Sequence, residues 1–384
     1  MTSISFCYTR IVSDNLIQVL GEIEYFEKGK NHKWIFVPKK GNGKKYLIKA
    51  FPNVEMVRRL ITIKKIFLKG STKTRFSPFR YAAPFGYGIF KEDHFKSLGI
   101  PYLQDTYFMV YYFADEYKDL SCVFMEDDLR EIVFQSKKFD YTRRKKIAKQ
   151  FFNIYSSLEN LQEYSPSCHP FQILHYDIKA DNYLIGANDE VLIIDIDQSG
   201  LYLHIKPTPE IITEYWIDES AIVGKRIFKP KCEPFGFYFL PYEYKAKEIN
   251  IKDNLHKEFW ANKEKATEIW LAWLMIFRVL TGIQNPFIFI GSRNIEEVYL
   301  FIQENKVEDL FSLSPFIAGD FLKNIIPDQN ERAKKLENIT DHYNNSLSPH
   351  IKEILNTVFL KGYYNFYSRP KFNKYKNISN ELFD

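Results

Sequence analysis

The stretch His-Tyr-Asp-Ile-Lys-Ala-Asp-Asn at residues 175–182, with Leu-Ile-Ile-Asp-Ile-Asp at 192–197, decides the fold of this chain. Two short apolar runs that flank a polar turn lie between them and predict a β-hairpin. Such a hairpin brings Asp177, Asn182 and Asp195 to one end of a short ribbon. Two carboxylates and an amide that face one point are the oxygen ligands that Mg²⁺ takes, often together with substrate phosphates. The spacing therefore predicts a metal-assisted phosphate site.

The first third of the chain has the period of β-strands. Strands are expected near 17–25, 33–37, 46–50, 85–90 and 106–112. Gly-Asn-Gly at 41–43 is a hairpin signal, because these residues tolerate positive φ. It leads into the strand that carries Lys49, and Pro52 then opens a predicted helix over about 54–69.

The remainder of the chain changes to helical periodicity. Apolar residues recur at steps of three and four over 147–161, and the stretch 269–277 is apolar all round, which is typical of a buried helix. Further helices are expected at 295–303 and 351–360. The change of period falls near residues 111–116, so we expect an α+β fold whose strand-rich part precedes its helical part.

These motifs resemble those of eukaryotic-type serine/threonine protein kinases. Residues 175–182 are similar to the family's catalytic loop, and Asp195 stands where the family has the metal-binding aspartate of its DFG motif. The stretch 268–287 looks like the central buried helix and the loop after it. Glu243 and Arg369 resemble a structural ion pair of the family. The resemblance spans nearly the whole chain and implies a bilobal protein-kinase-like fold, with a β-rich N-lobe at 1–113 and a helical C-lobe at 114–384.

The resemblance also implies what individual residues do. Asp177 would accept the proton of the substrate hydroxyl, and Lys179 would stabilise the γ-phosphate. Asn182 and Asp195 would bind Mg²⁺, and Lys49 would hold the α- and β-phosphates of ATP. A lysine two residues after the catalytic aspartate favours serine or threonine acceptors in this family, so the implied partner is a protein substrate.

The adenine ring of ATP would lie against a hinge at 111–114. The backbone of Tyr112 and Phe113 would bind the adenine edge, and Val110 would lie at the back of the pocket. ATP and Mg²⁺ are therefore the cofactors that the resemblance implies.

The sequence departs from the family pattern at the phosphate loop and at the partner of Lys49. Gly29 lies at the expected phosphate-loop turn, but the glycine-rich motif is missing, and the lysines beside Gly29 either supply charge or form a solvated turn. Glu55 is the carboxylate available to pair with Lys49, yet it also suits the start of a helix. In the second case, Lys49 finds a different partner or the helix must shift.

Further departures lie around the catalytic loop. Tyr176 replaces the arginine that in this family commonly reads a phosphate on the activation segment, which disfavours such switching. Asp197 replaces the glycine of DFG and is either a second metal-side carboxylate or a solvated turn residue. Glu268 stands where the family usually has aspartate.

Composition restricts the class of protein. The 384 residues are 45% apolar and 26% charged, which is typical of globular chains and excludes a disordered or fibrous one. The four cysteines have no paired spacing, and the longest apolar run is too short to span a bilayer. We expect a soluble, cytoplasmic protein with no membrane partner.

Other functions stay open. The formal net charge of +5 does not by itself indicate a nucleic-acid partner. The basic run 143–146 is either a solvated helix start or a docking or nucleic-acid patch. A pseudokinase scaffold is the alternative of a different class. A kinase-fold transferase that acts on a small molecule or nucleic acid, including one that transfers AMP, is another.

Overall fold

The structure is a computed structural model, and it describes the helical part of the chain more fully than the first third. The described residues are 4–5, 10–11, 22–27, 34–38, 46–51, 60, 80–81, 86–89, 107–112, 118–119, 140–159, 171–196, 199–203, 208–211, 226–228, 254–283, 286–287, 295–311, 323 and 326–384.

Apart from Leu60, short strands make up the described part of the first 119 residues. In chain order they are β1 (Ile4–Ser5), β2 (Arg10–Ile11), β3 (Glu22–Glu27), β4 (Trp34–Pro38), β5 (Tyr46–Phe51), β6 (Arg80–Tyr81), β7 (Gly86–Ile89), β8 (Tyr107–Tyr112) and β9 (Lys118–Asp119). Seven of them form an antiparallel sheet in the order β1-β3-β4-β5-β8-β7-β2. Lys49 lies in β5, with Ile35 of β4 on one side and Met109 of β8 on the other.

Two smaller sheets surround the predicted catalytic loop. Their strands are β10 (Phe171–Leu174), β11 (Tyr183–Ile185), β12 (Val191–Ile193), β13 (Gly200–Leu203) and β14 (Arg226–Phe228). β11 and β12 form the predicted hairpin, which is thereby confirmed, within a sheet of order β6-β12-β11-β9. The other sheet has the order β10-β13-β14, so the strand before the loop pairs with a strand that follows Asp195.

Helices occupy most of the described chain after residue 140. They are α1 (Tyr141–Glu159), α2 (Asn254–Thr281), α3 (Ile295–Glu304), α4 (Gln329–Ser346), α5 (Pro349–Asn356), a π-helical turn (Thr357–Lys361), α6 (Gly362–Tyr364) and α7 (Ser379–Phe383), with 3₁₀ turns at Phe366–Ser368 and Phe372–Ile378. No helix among the described residues is long and apolar enough to cross a membrane.

The core is built around α2. From residue 269 to its end the helix is buried on every face, as its sequence predicts, and Trp270 and Trp273 are fully enclosed. Trp273 stacks on Phe372, with ring centroids 4.6 Å apart. The same apolar cluster includes Met109 and Tyr111 of β8, so the sheet contributes to it as well. α2 is thus the central element of the apolar core.

The described helices differ from expectation at two places. α4 has no counterpart among the predicted helices, because its buried stripe includes Arg332 and Ser346 and so does not read as apolar. The helix predicted from residue 351 begins at Pro349, which follows a Ser348 side chain that accepts from Ile351 N. Of the helix predicted over 54–69, the structure describes only Leu60, which is helical and buried.

Candidate active site

The loop after β10 brings three predicted site residues into contact. The amide nitrogen of Asn182 donates to the backbone carbonyl and to Oδ2 of Asp177, at 2.8 Å each. Lys179 Nζ donates to the same Oδ2, also at 2.8 Å. A 3₁₀ turn at Ala180–Asn182 brings the chain back and permits these contacts. Asn182 is buried at 2% exposure, whereas the Asp177 carboxylate keeps some access to solvent.

The hairpin sets Asp195 beside this loop. Ile194 donates its backbone N–H to the carbonyl of Asn182 at 2.9 Å, which joins the two segments directly before Asp195. Asp195 itself has φ 54°, a left-handed conformation that residues other than glycine adopt only occasionally. Backbone conformations of this kind cluster at functional sites, where the surrounding structure enforces them.

Lys49 reaches Asp195 across 146 residues of chain. Lys49 Nζ and Asp195 Oδ1 form an ion pair. The lysine is 8% exposed, and its ammonium lies 5.6 Å from the ring centroid of Tyr111 on β8. A buried ammonium is costly unless it is paired, so Asp195 supplies a partner that the sequence had suggested only through Glu55. The contact joins β5 to the segment after the hairpin, at the two residues for which the resemblance to kinases implies phosphate and metal binding.

The other predicted residues fall into two groups. Val110 and Tyr112 lie in β8, opposite Ile48 and Tyr46 of β5. Four predicted site residues lie outside the described part of the chain: Gly29, Glu55, Phe113 and Asp197. Their assigned roles stay predictions.

His175 connects the loop to the hairpin through both ring nitrogens. Its Nδ1 accepts from the backbone N–H of Asp177 at 3.2 Å, and its Nε2 lies 3.2 Å from the carbonyl oxygen of Ile194. A backbone N–H can only donate, so Nδ1 carries no proton and the neutral ring donates from Nε2 to Ile194. The ring also stacks on Tyr183, with centroids 5.6 Å apart. His175 thereby links the backbone of Asp177 to the residue before Asp195.

Glu268 of α2 anchors the backbone of the same loop. Its two carboxylate oxygens accept from the backbone N–H groups of His175, at 2.6 Å, and of Tyr176, at 3.2 Å. Burial raises the pKa of Glu268 to about 7; the two N–H donors oppose this effect and the charge of Asp177 adds to it. The sequence marks Glu268 only as a departure from the family. The available signal is a carboxylate directly before an all-apolar stretch, which requires buried donors.

The basic run 143–146 contacts the chain itself. Arg143 Nε donates to Asp189 Oδ1 at 3.0 Å, and Lys146 Nζ donates to the carbonyl of Asn188 at 2.8 Å, so both hold the tip of the β11–β12 hairpin. Arg144 is buried and donates to a backbone carbonyl of α2, and burial lowers its pKa to about 10. The run lies at the start of α1, as the first of the two expected alternatives has it, but Arg144 is buried rather than solvated, and Arg143 and Lys146 bind intramolecular partners.

Arg369 is also held by the helical part of the chain. Its Nε donates to the carbonyl of Gly362 at 2.8 Å, and a terminal nitrogen donates to the carbonyl of Ala266 at 2.9 Å. The guanidinium lies 5.1 Å from the ring centroid of Trp270. Its expected partner, Glu243, lies outside the described residues.

A cavity of about 880 Å³ lies between α3, α5 and the π-helical turn, lined among others by Tyr299, Pro349 and Leu360, and none of the predicted site residues lines it.

Within the described segments, no group of three or more His, Cys, Asp or Glu side chains is placed to hold a metal ion. The predicted ligands Asn182 and Asp195 combine an amide with a carboxylate and are not such a group.

No protein-family model matches this chain, and no curated protein matches it.

Proposed function

We propose that this chain is an ATP- and Mg²⁺-dependent phosphotransferase that acts on serine or threonine hydroxyls of a protein. The observation that carries the proposal is the Lys49–Asp195 ion pair beside the contacts of Asp177 with Lys179 and Asn182. Together with the likeness of these motifs to protein kinases, it supports a bilobal kinase-like fold with lobes at 1–113 and 114–384.

Lys49 is the group proposed to hold the ATP phosphates. It comes from the middle of a paired strand, so its backbone is fixed on both sides. Its ammonium already lies against one carboxylate, at the place where phosphate oxygens would gather. The end of β8, at Tyr111 and Tyr112, would offer backbone groups to the adenine edge.

Asn182 and Asp195 fit a Mg²⁺ ion. Both hydrogen bonds from Asn182 to Asp177 use the amide nitrogen, so the amide oxygen is the atom suited to ligate a cation. Asp195 keeps a third of its side chain accessible, which leaves room for an ion beside Lys49. A bound Mg²⁺ would neutralise the charge of the transferred phosphate.

In the proposed step, the acceptor hydroxyl oxygen forms a bond to the γ-phosphorus while the bond from that phosphorus to the bridging oxygen breaks and ADP leaves. The hydroxyl proton passes to the Asp177 carboxylate. Asn182 orients this carboxylate by donating to Oδ2. Lys179, bound to the same oxygen, places a positive charge where the phosphate passes.

The proposed setting is the cytoplasm. ATP-dependent transfer needs an intracellular nucleotide pool. The four cysteines lack the paired spacing of a disulfide framework, in keeping with a reducing compartment.

Intact-mass spectrometry after incubation with ATP and Mg²⁺, with a generic protein substrate in the same tube, tests the proposal. We expect phosphate-sized mass gains with the wild type and none with Asp177→Asn, which keeps the shape of the side chain but not its charge. Asp181→Asn is the matched control, because this exposed aspartate lies on the same loop and should leave transfer intact.

The other outcomes separate the alternatives. Mass gains the size of AMP would overturn phosphate transfer in favour of nucleotide transfer. Equal phosphate incorporation by wild type and Asp177→Asn would refute the assignment of Asp177. ATP binding without any transfer would favour a scaffold or a non-protein acceptor.

A further inference from the structure

Two buried tyrosines and a half-buried glutamate form a cluster at the residue that precedes the proposed catalytic aspartate. The hydroxyl of Tyr176 lies 2.7 Å from Glu264 Oε2 and 2.8 Å from the hydroxyl of Tyr202. Tyr202 donates to the same Glu264 oxygen. Three oxygens therefore meet at one point, and two phenol protons hold them together.

The cluster joins three elements that the proposed reaction depends on. Tyr176 immediately precedes Asp177. Tyr202 belongs to β13, seven residues after Asp195. Glu264 belongs to α2, one helical turn before the Glu268 that binds the loop backbone. One contact point thus couples the loop, the segment after Asp195 and the central helix.

Packing fixes the orientation of the Tyr176 ring. Tyr176 is 3% exposed and packs with Leu174 and Tyr202 in a small apolar cluster. Its ring lies so close to Gly200 that a Cβ there would overlap it. Its backbone is left-handed, with φ 65°. The Tyr176 ring is therefore held in one orientation, and the missing Cβ at Gly200 leaves the space that the ring occupies.

The hydroxyl groups make the arrangement of the cluster more specific than packing alone would make it. Phenylalanine would fill the same space, whereas buried phenol hydroxyls must find partners and so select one arrangement around the half-buried Glu264 carboxylate. Burial, Tyr202 and Glu264 raise the pKa of Tyr176 well above its ordinary value, so the phenol stays a donor.

We propose that Tyr176 is a positioning residue which, with Tyr202 and Glu264, holds Asp177 in register with the segment that carries Asp195. This inference rests on the proposed phosphate transfer and deepens it. The contacts are made by phenol hydroxyls and a carboxylate that the sequence itself supplies, so the proposed alignment needs no phosphate group on the chain. The active arrangement is accordingly present in the newly folded protein.

The test uses Tyr176→Phe, Tyr202→Phe and the double variant. We expect each single change to lower kcat about tenfold, the size of one hydrogen bond to a charged group, with little change in KM for ATP. The double variant should lose no more than the worse single one, because either change opens the same cluster. Tyr299→Phe is the matched control, since it removes a buried phenol that donates to the Phe359 carbonyl of the π-helical turn.

Hydrogen exchange measures how firmly the two segments hold each other, and it does not require that the protein transfers phosphate. Tyr176→Phe should speed exchange of the amides at both 175–177 and 200–203, whereas Tyr299→Phe should not. If the wild type transfers no phosphate, the proposed function fails. The exchange measurement still decides whether the cluster couples the two segments. Unchanged kcat and unchanged exchange, with a lower unfolding midpoint like that of Tyr299→Phe, would reduce Tyr176 to a core residue and overturn the proposal.

Phosphate independence has its own measurement. Wild-type protein treated with phosphatase until its mass is that of the bare chain should transfer phosphate without a lag. A lag that shortens as the protein incorporates phosphate would overturn this part of the inference.

Discussion

The loop 175–182 and the strand that carries Lys49 place their functional groups in different ways. In the loop, Asp177, Lys179 and Asn182 contact one another within six residues, and Glu268 anchors the backbone. Lys49 instead meets Asp195 across 146 residues, through an ion pair between β5 and the segment that follows β12.

The loop contacts join residues that are close in sequence, whereas the Lys49 contact joins residues that are far apart in sequence. The loop contacts follow from a short turn and a hairpin, so they need few residues to be in place. The Lys49 contact requires the seven-stranded sheet, the β11–β12 hairpin and the core to form together. Changes at Asp195 and Lys49 should therefore act on the reaction and on the joining of the two regions, whereas changes at the hairpin tip should be milder.

Asp195→Asn should have the largest effect. Asparagine tolerates the left-handed backbone at this position, so the substitution removes charge while keeping the conformation. It weakens the link to Lys49 and removes a proposed metal ligand, and we expect kcat to fall about a thousandfold. Steady-state phosphate transfer measures it, with Asp189→Asn as control, because Asp189 has φ 64° on the same hairpin. Equal losses in both variants would contradict the special place of Asp195.

Lys49→Met should come next. It keeps the apolar stem and removes the ammonium, and we expect kcat/KM for ATP to fall about a hundredfold. Hydrogen exchange at 175–182 should stay as in the wild type, because the loop contacts are local. Lys334→Met on the exposed face of α4 is the control. Increased exchange in the loop would break the distinction between the two regions.

Glu268→Gln sharpens the comparison through pH. With a pKa of about 7 against an ordinary 4.5, folded Glu268 holds a proton that the unfolded chain releases between these values. Its contribution to the free energy of unfolding therefore falls as the pH rises through this window, by a total on the order of 3 kcal/mol. Glutamine does not titrate, so urea unfolding of the variant should depend less on pH between about 5 and 8. An unchanged pH dependence would place the titrating group elsewhere.

Asp189→Asn should have the smallest effect. The hydrogen bond from Arg143 lowers the pKa of Asp189, so the pair stabilises the fold at neutral pH and loses that contribution as the pH falls through the lowered pKa. Arg143 is a third exposed, and we expect a loss of at most about 1 kcal/mol in urea unfolding. Transfer activity should be near that of the wild type. A large loss of kcat would mean that the hairpin tip controls Asp195 more directly than its contacts indicate.

The sequence predicts the structure well where hydrophobic periodicity is regular and where the contacts join residues close in sequence. The hairpin, the strand of Lys49 and the buried part of α2 follow from alternation, a turn signal and an all-apolar run. The hairpin spacing predicts that Asp177 and Asn182 lie at one end of the ribbon, and the structure brings the two side chains into contact. These features depend on neighbours in the chain, which the sequence displays.

Contacts that depend on distant backbone could not be predicted in the same way. His175 and Glu268 work through N–H and carbonyl groups, which every residue carries and no pattern marks. The pairing of Lys49 with Asp195 depends on how two sheets meet. The sequence did not predict α4, because the buried face of this helix includes an arginine and a serine. Their burial depends on partners that hydrophobic periodicity does not reveal.

The π-helical turn at Thr357–Lys361 has a consequence for how the length of this chain can vary. A π-turn holds one residue more than an α-turn, and here the N–H of Gly362 bonds to the carbonyl of Thr357. The turn absorbs the extra residue, so deleting one residue there would restore regular winding and leave the following chain close to its present orientation. The stack of Tyr363 on Tyr299 and the contact of Arg369 with the carbonyl of Gly362 should then survive. A one-residue deletion at 357–361 should therefore change near-ultraviolet circular dichroism less than a one-residue deletion inside α5, which would rotate all of the following helix by about 100°.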